Sequence, residues 1–187
     1  MVAEVHRRLA AEWPALLTLL APRHPQRGAE VATEVARAGL KVARRAAGDP
    51  LTAEIQVYLA DTIGELGLWY RLAPLVFVGG SISAAGGHNP LEPARLGAAV
   101  LHGPGMASFA EIARDMTATG ASRVVADAAD LAAAVAELLA PPSVAREQMA
   151  RAARTYAESQ ADILPRVAAA LDPLLRRAGI VGAVQPA

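Results

Sequence analysis

Short apolar runs, each cut off by a glycine, proline or aspartate and followed by a helical pattern, constrain this chain more than any other feature. Ala15–Ala21 (ALLTLLA) stops at Pro22, and Glu54–Leu59 (EIQVYL) ends ahead of Asp61. Leu75–Val78 stops at Gly79, Ala99–His102 at Gly103 and Ser122–Ala126 at Asp127; Leu40–Ala43 is a weaker candidate. Between them, helical segments are expected over Ala29–Ala38, Ile63–Ala73, Pro90–Leu96, Ser108–Thr119 and Ala128–Ala140. Strand, loop, helix, strand in this rhythm is the sequence form of βαβ units. It predicts an α/β, Rossmann-like parallel sheet flanked by helices, with right-handed crossovers.

The 187 residues suffice for one well-buried α/β domain and are short for two. We therefore expect a single domain over 1–187, with 143–187 a helical tail. In that tail Val144–Ala170 and Leu171–Ala178 carry helical spacing, Pro165 and Pro173 should break or kink it, and Gly179–Ala187 should fray. Equal totals of 18 basic and 18 acidic residues give no bias towards nucleic acid. The absence of cysteine excludes disulfides and thiolate metal sites and fits a reducing compartment. No apolar run approaches the roughly 18–20 residues that span a bilayer, and the N-terminus lacks a signal-peptide pattern. A soluble or peripheral protein is expected.

In open α/β sheets, ligands bind beyond the carboxyl ends of the strands. The polar and glycine-rich residues of this chain collect there: Pro22-Arg23-His24-Pro25, Asp61-Thr62-Ile63-Gly64-Glu65, Gly79-Gly80-Ser81 and His102-Gly103-Pro104. In VFVGGSISAAGGHNPLEP (76–93), Asn89 suits a helix N-cap, Pro90 the first helical position and Glu92 the third. Gly86 and Gly87 would let a ligand approach the backbone, and free amides at the helix start suit a phosphate or carboxylate. The plainer alternative is that Asn89 and Glu92 only cap the helix, and that Asp61 or Thr62 caps the one before it. Arg23, fixed between prolines, offers a planar fork of donors for such an anion. His24 and His88 lack partners at metal-ligand spacing, so no metal is expected. His6 is expected on a helix surface, His102 at a strand end, and Arg44-Arg45 in solvent. No serine has a nucleophile-elbow context.

PRHPQR (22–27), DTIGELGLWY (61–70), FVGGSISAAGGHNPLEP (77–93) and LHGPGMASFAEI (101–112) closely resemble the C-terminal half of 3-deoxy-D-manno-octulosonic acid (Kdo) transferases. The resemblance runs from about Val5 to about Leu175. It implies the C-terminal, donor-binding half of a glycosyltransferase B fold, in a family that moves Kdo from CMP-Kdo onto the lipid A precursor of lipopolysaccharide. By that resemblance Pro22 and Arg23 would lie beside the cytidine or its phosphate, and Ile63, Gly64 and Glu65 would present loop backbone to the nucleotide. Ser81, Gly87, His88 and Asn89 would surround the phosphate and sugar, and Glu92 would accept from the ribose hydroxyls.

The chain departs from the family at Gln26, usually Glu, and at Ser108, usually Asn. Measured against the family, the N-terminal domain is expected to be absent, with the acceptor site and general base it carries. The first strand of the donor domain is expected to be missing as well. The sheet should then close up, or borrow a strand or helix from another chain, and a homodimer is possible. The expected function is donor binding, with no catalytic residue in this chain, no cofactor and no metal. CMP-Kdo is the expected partner, and the lipid A precursor would bind only through the N-terminal domain. The location implied is cytoplasmic, peripheral at the inner membrane in full-length relatives. Alternatives are a UDP-sugar transferase or epimerase domain, or a non-catalytic truncated paralogue.

Overall fold

The computed structural model describes residues 1–83, 85–160 and 163–178. In chain order the elements are α1 (Val2–Ala10), β1 (Thr18–Leu20), α2 (Gly28–Arg37), β2 (Val42–Arg44), β3 (Val57–Leu59), α3 (Leu66–Leu72) and β4 (Leu75–Val78). Then follow α4 (Leu91–Arg95), β5 (Ala99–His102), α5 (Ala110–Ala118), β6 (Ser122–Val124), α6 (Ala128–Leu139), α7 (Val144–Ser159) and α8 (Ile163–Arg177). Every ladder is parallel, and the α/β class holds.

The strands form two sheets, ordered β1-β3-β2 and β4-β5-β6. The central strands β3 and β5 are buried at every residue, whereas β1 is only partly buried throughout and β4 along all but Val78. That contrast has a sequence cause. A parallel strand covered on both faces reads as a continuous apolar run, as in AVLH and VYL. No ladder joins β1 to β4, so the sheet does not close up in the way the sequence allowed.

Four strands, β1, β2, β3 and β6, are shorter than the apolar runs suggested. The β1–β3 register starts at Thr18 against Val57. Ahead of it Gln56 serves as a cap: its side-chain oxygen accepts from the Lys41 amide at 3.0 Å and its carbonyl from the Thr18 amide at 2.9 Å. The Gln56 amide also donates to the Lys41 carbonyl at 2.9 Å, so backbone bonds run one residue past the regular ladder. The tail also differs from expectation. The interruption falls between Ser159 and Ile163, not at Pro165 or Pro173. Pro165 lies in the first turn of α8, where an amide has no intrahelical acceptor, and Pro173 remains inside the helix. Residues 179–187, expected to fray, lie outside the described residues.

Helix α1 ties the two sheets together. Val5 and Leu9 pack with Leu75, Phe77, Leu101, Val125 and the α6 residues Leu131 and Leu138, while Ala3 reaches the cluster of Leu20, Val35, Val42 and Val57. His6 lies on this inward face and is buried, contrary to the surface position expected. Its Nδ1 is 2.9 Å from Thr18 Oγ1 of β1, and burial lowers its pKa. Among the described residues, no single helix is long and apolar enough to cross a membrane.

Candidate donor-binding rim

Each loop picked out in the sequence follows the carboxyl end of a parallel strand. After β1, Pro22–Pro25 leads through a short 3₁₀ turn, Pro25–Arg27, into α2. Arg23 and His24 are exposed, and among the described residues Arg23 has no hydrogen-bond or ion partner. Gln26 is exposed too, while Arg27 spends its charge on Glu30 at 2.6 Å. Arg23 is therefore the uncommitted guanidinium of this loop.

After β3 comes Asp61. Its side chain is fully shielded and bonded from two sides. One oxygen accepts from Arg44 Nε at 2.9 Å and an Arg44 terminal nitrogen at 2.8 Å; the other accepts from the Ala46 amide at 2.8 Å. Glu65 accepts a two-pronged bond from Arg45, at 3.0 and 2.7 Å, and a hydroxyl bond from Thr62. The Arg45 fork and then the Thr62 hydroxyl hold the Glu65 carboxyl down at about 2. Arg44 and Arg45 are thus not simply solvated, as sequence reading had them. Between these ties Ile63 is 82% exposed and Gly64 takes a φ of +87°, a value side chains resist.

After β4 the 79–89 loop folds back on itself: the Gly87 amide donates to the Gly80 carbonyl and the His88 amide to the Gly79 carbonyl, both at 3.2 Å. Ser81 is buried and fully employed. Its hydroxyl donates to the Val78 carbonyl at 2.6 Å and accepts from the Gly103 amide at 2.7 Å. Its carbonyl takes the Gly105 amide at 2.6 Å. Its side chain ties the loop after β4 to the loop after β5. The close approach that demands glycine at 86 and 87 is likewise internal. A methyl group on Gly86 would sit 2.6 Å from Ser108 Oγ, and one on Gly87 would collide with Met106 Sδ. Ser108 also bonds through its own amide to the Gly86 carbonyl at 3.0 Å.

Asn89 stands just ahead of α4, whose N-cap is Pro90, one residue later than expected; its side-chain oxygen accepts from the Leu91 amide at 3.0 Å. Its amide group reaches Glu92 at 3.3 Å, so the two side chains answer each other directly. Glu92 is exposed and has an oxygen to spare, and its charge helps raise the pKa of Tyr70 on α3, after burial. Helices α3 and α4 pack together, with Gly67 at the start of α3 facing Leu96 just past the end of α4. His88 is half-buried. Among the described residues no three His, Asp or Glu side chains converge as a metal ligand set.

His102 ends β5 inside the protein. Nδ1 meets the Gly103 carbonyl at 2.8 Å, and Nε2 lies 3.2 Å from Ser122 Oγ and 3.3 Å from Thr117 Oγ1. It is a buried tie. Two hollows of about 360 Å³ each lie away from these loops: one lined by Pro14, Leu16, Lys41 and Gln56, the other by Thr119, Thr155 and Tyr156.

No family model matches the chain. Whole-protein comparison is more informative. The 3-deoxy-D-manno-octulosonic acid transferase of Bordetella pertussis is 39% identical over 173 residues, which take in 92% of this chain and 40% of that protein. Its counterpart in Haemophilus influenzae is 34% identical over 177 residues, 95% of the chain and 42% of the relative. The chain also superposes on the C-terminal CMP-Kdo binding domain of WaaA from Acinetobacter baumannii, with a TM-score of 0.67 and 29% identity. That match covers 83% of this chain and 98% of the other.

The chain belongs to the Kdo transferase family. It corresponds to the C-terminal part of these enzymes and has the C-terminal architecture of a glycosyltransferase B fold. It spans about 40% of the length of the Kdo transferases it matches. Sequence reasoning placed these loops at strand ends, but had Arg44 and Arg45 in solvent. The available signal was an Arg pair at the end of one strand and two acids, Asp61 and Glu65, bracketing the loop after its neighbour.

Proposed function

We propose that this chain binds the CMP-Kdo donor of a Kdo transferase reaction. The observation that carries the reading is the superposition on a CMP-Kdo binding domain over nearly all of that domain's length. The local chemistry agrees with it. Arg23 is an exposed, uncommitted guanidinium at a strand end, suited to the phosphate of CMP. Pro22 fixes its loop. The backbone of Ile63, Gly64 and Glu65 faces the nucleotide; the Glu65 carboxylate is itself spent on Arg45. The Gly87–Asn89 backbone surrounds phosphate and sugar, with His88 beside it, and Ser81 contributes by holding that loop in shape. Glu92 takes the ribose hydroxyls, for which one of its oxygens remains available.

In the full reaction the donor domain stabilises the departing CMP, while a base on another domain activates the acceptor hydroxyl. That acceptor is the lipid A precursor, so the work is done at the inner face of the inner membrane, without metal or cofactor. Calorimetric titration of the purified chain with CMP, UMP and UDP tests the reading. Preferential binding of CMP is expected; preference for UDP would move the chain to the UDP-sugar enzymes, and indifference to all three would leave a non-binding paralogue.

A further inference from the structure

We propose that Arg44, Arg45 and the buried Asp61 are positioning residues that set the shape of the nucleotide-facing loop and its spacing from Arg23. This rests on the donor-domain reading above. The loop 62–65 has no apolar anchor of its own, since Ile63 points into solvent and Gly64 contributes no side chain. What fixes it are the two acids at its ends. Arg44 ends β2 and Arg45 opens the turn after it, and the two guanidinium groups reach opposite ends of one loop. Arg44 pairs with Asp61, and Arg45 forks onto Glu65.

Asp61 also reaches the other rim loop. Gly28, the first residue of α2 after the Arg23 loop, is buried so tightly against Asp61 that any added Cβ would overlap the carboxylate. The same carboxylate takes the Ala46 amide. One shielded acid therefore sits between the start of α2, the turn after β2 and the loop after β3. An apolar substitute at 44, 45 or 61 would leave a charged or polar partner unpaired.

The test uses the whole chain as wild type, Arg45→Ala, Arg45→Glu, Glu65→Arg and the double variant Arg45→Glu/Glu65→Arg. Hydrogen exchange is read at residues 62–66 without ligand, CMP affinity by calorimetry, and the denaturation midpoint alongside. Arg45 is half-exposed, so these variants should fold; Asp61→Asn is a companion whose folding the account does not need. Each single variant should speed exchange at 62–66 by about tenfold or more with little change at β5, which samples global opening. CMP affinity should fall about 10- to 100-fold. The charge-swapped pair should recover much of both, a rescue that a purely structural loss would not give. Unchanged exchange at 62–66 in Arg45→Ala, or affinity lost equally in singles and swap, would overturn the proposal. Wild type that binds no CMP would sink the donor reading alone, because the exchange measurement still decides whether the ion pairs hold the loop.

Discussion

Arg23 differs from Arg27, Arg44 and Arg45 in one respect: the others are already spoken for by Glu30, Asp61 and Glu65. That difference singles it out for an incoming anion. Replacing Arg23 with Ala should weaken CMP binding by about 1–3 kcal/mol, the range for a hydrogen bond to a charged group, with little effect on the denaturation midpoint. Titration calorimetry with a parallel urea curve checks both. Glu92→Gln should reduce affinity less and chiefly for ribonucleotides, so comparing CMP with its deoxy analogue isolates the ribose contact. His6 gives a pH-dependent expectation. Burial lowers its folded pKa below the usual 6.5, so the unfolded chain binds more protons as pH falls. Its contribution to stability is full above about 6.5 and declines as pH drops from there towards the lowered folded value. The thermal midpoint should fall between pH 7.5 and 5, and His6→Gln should flatten that slope.

At the scale of elements, β4 and β5 were legible to the residue because each is an unbroken apolar run closed by glycine or by a strand-end histidine. Strands β1 and β3 were legible in place but not in length: ahead of Thr18 and Val57 the backbone bonding reaches back only to Gln56, whose side chain also takes the Lys41 amide. The buried His6 escaped notice because its partner, Thr18, lies on a strand beyond a loop, and no local pattern announces that contact. The Arg45–Glu65 pair was hidden for the same reason, twenty residues apart in sequence. Ser81 and the glycines at 86 and 87 stood out in the sequence, and their nearest neighbours are the 103–108 loop rather than open space. This yields an element-scale prediction. Gly87→Ala meets both a φ of +72° and the Met106 sulfur, and should cost about 1–3 kcal/mol or more in urea denaturation. Binding should fail with it, because the loop that presents Asn89 depends on that packing.

For the molecule as a whole, two parallel sheets share cores through α1 while β1 and β4 remain unpaired with each other. Unpaired strand edges invite strand addition, which is the physical ground for expecting self-association or capture of a strand from elsewhere. The chain spans about 40% of the Kdo transferases it matches, and on the proposal that it serves donor binding it should not turn over by itself. Purified chain given CMP-Kdo and a lipid A precursor should therefore yield no Kdo transfer above background; measurable transfer would mean that an acceptor site and base lie within these residues. The central claim is that one rim, built from loops after β1, β3 and β4, receives CMP. Amide chemical-shift mapping during a CMP titration tests it most directly. The account predicts saturable shifts concentrated at Arg23, Ile63–Glu65 and Gly87–Asn89, whereas shifts confined to the hollow near Pro14 and Gln56, or none at all, would contradict it.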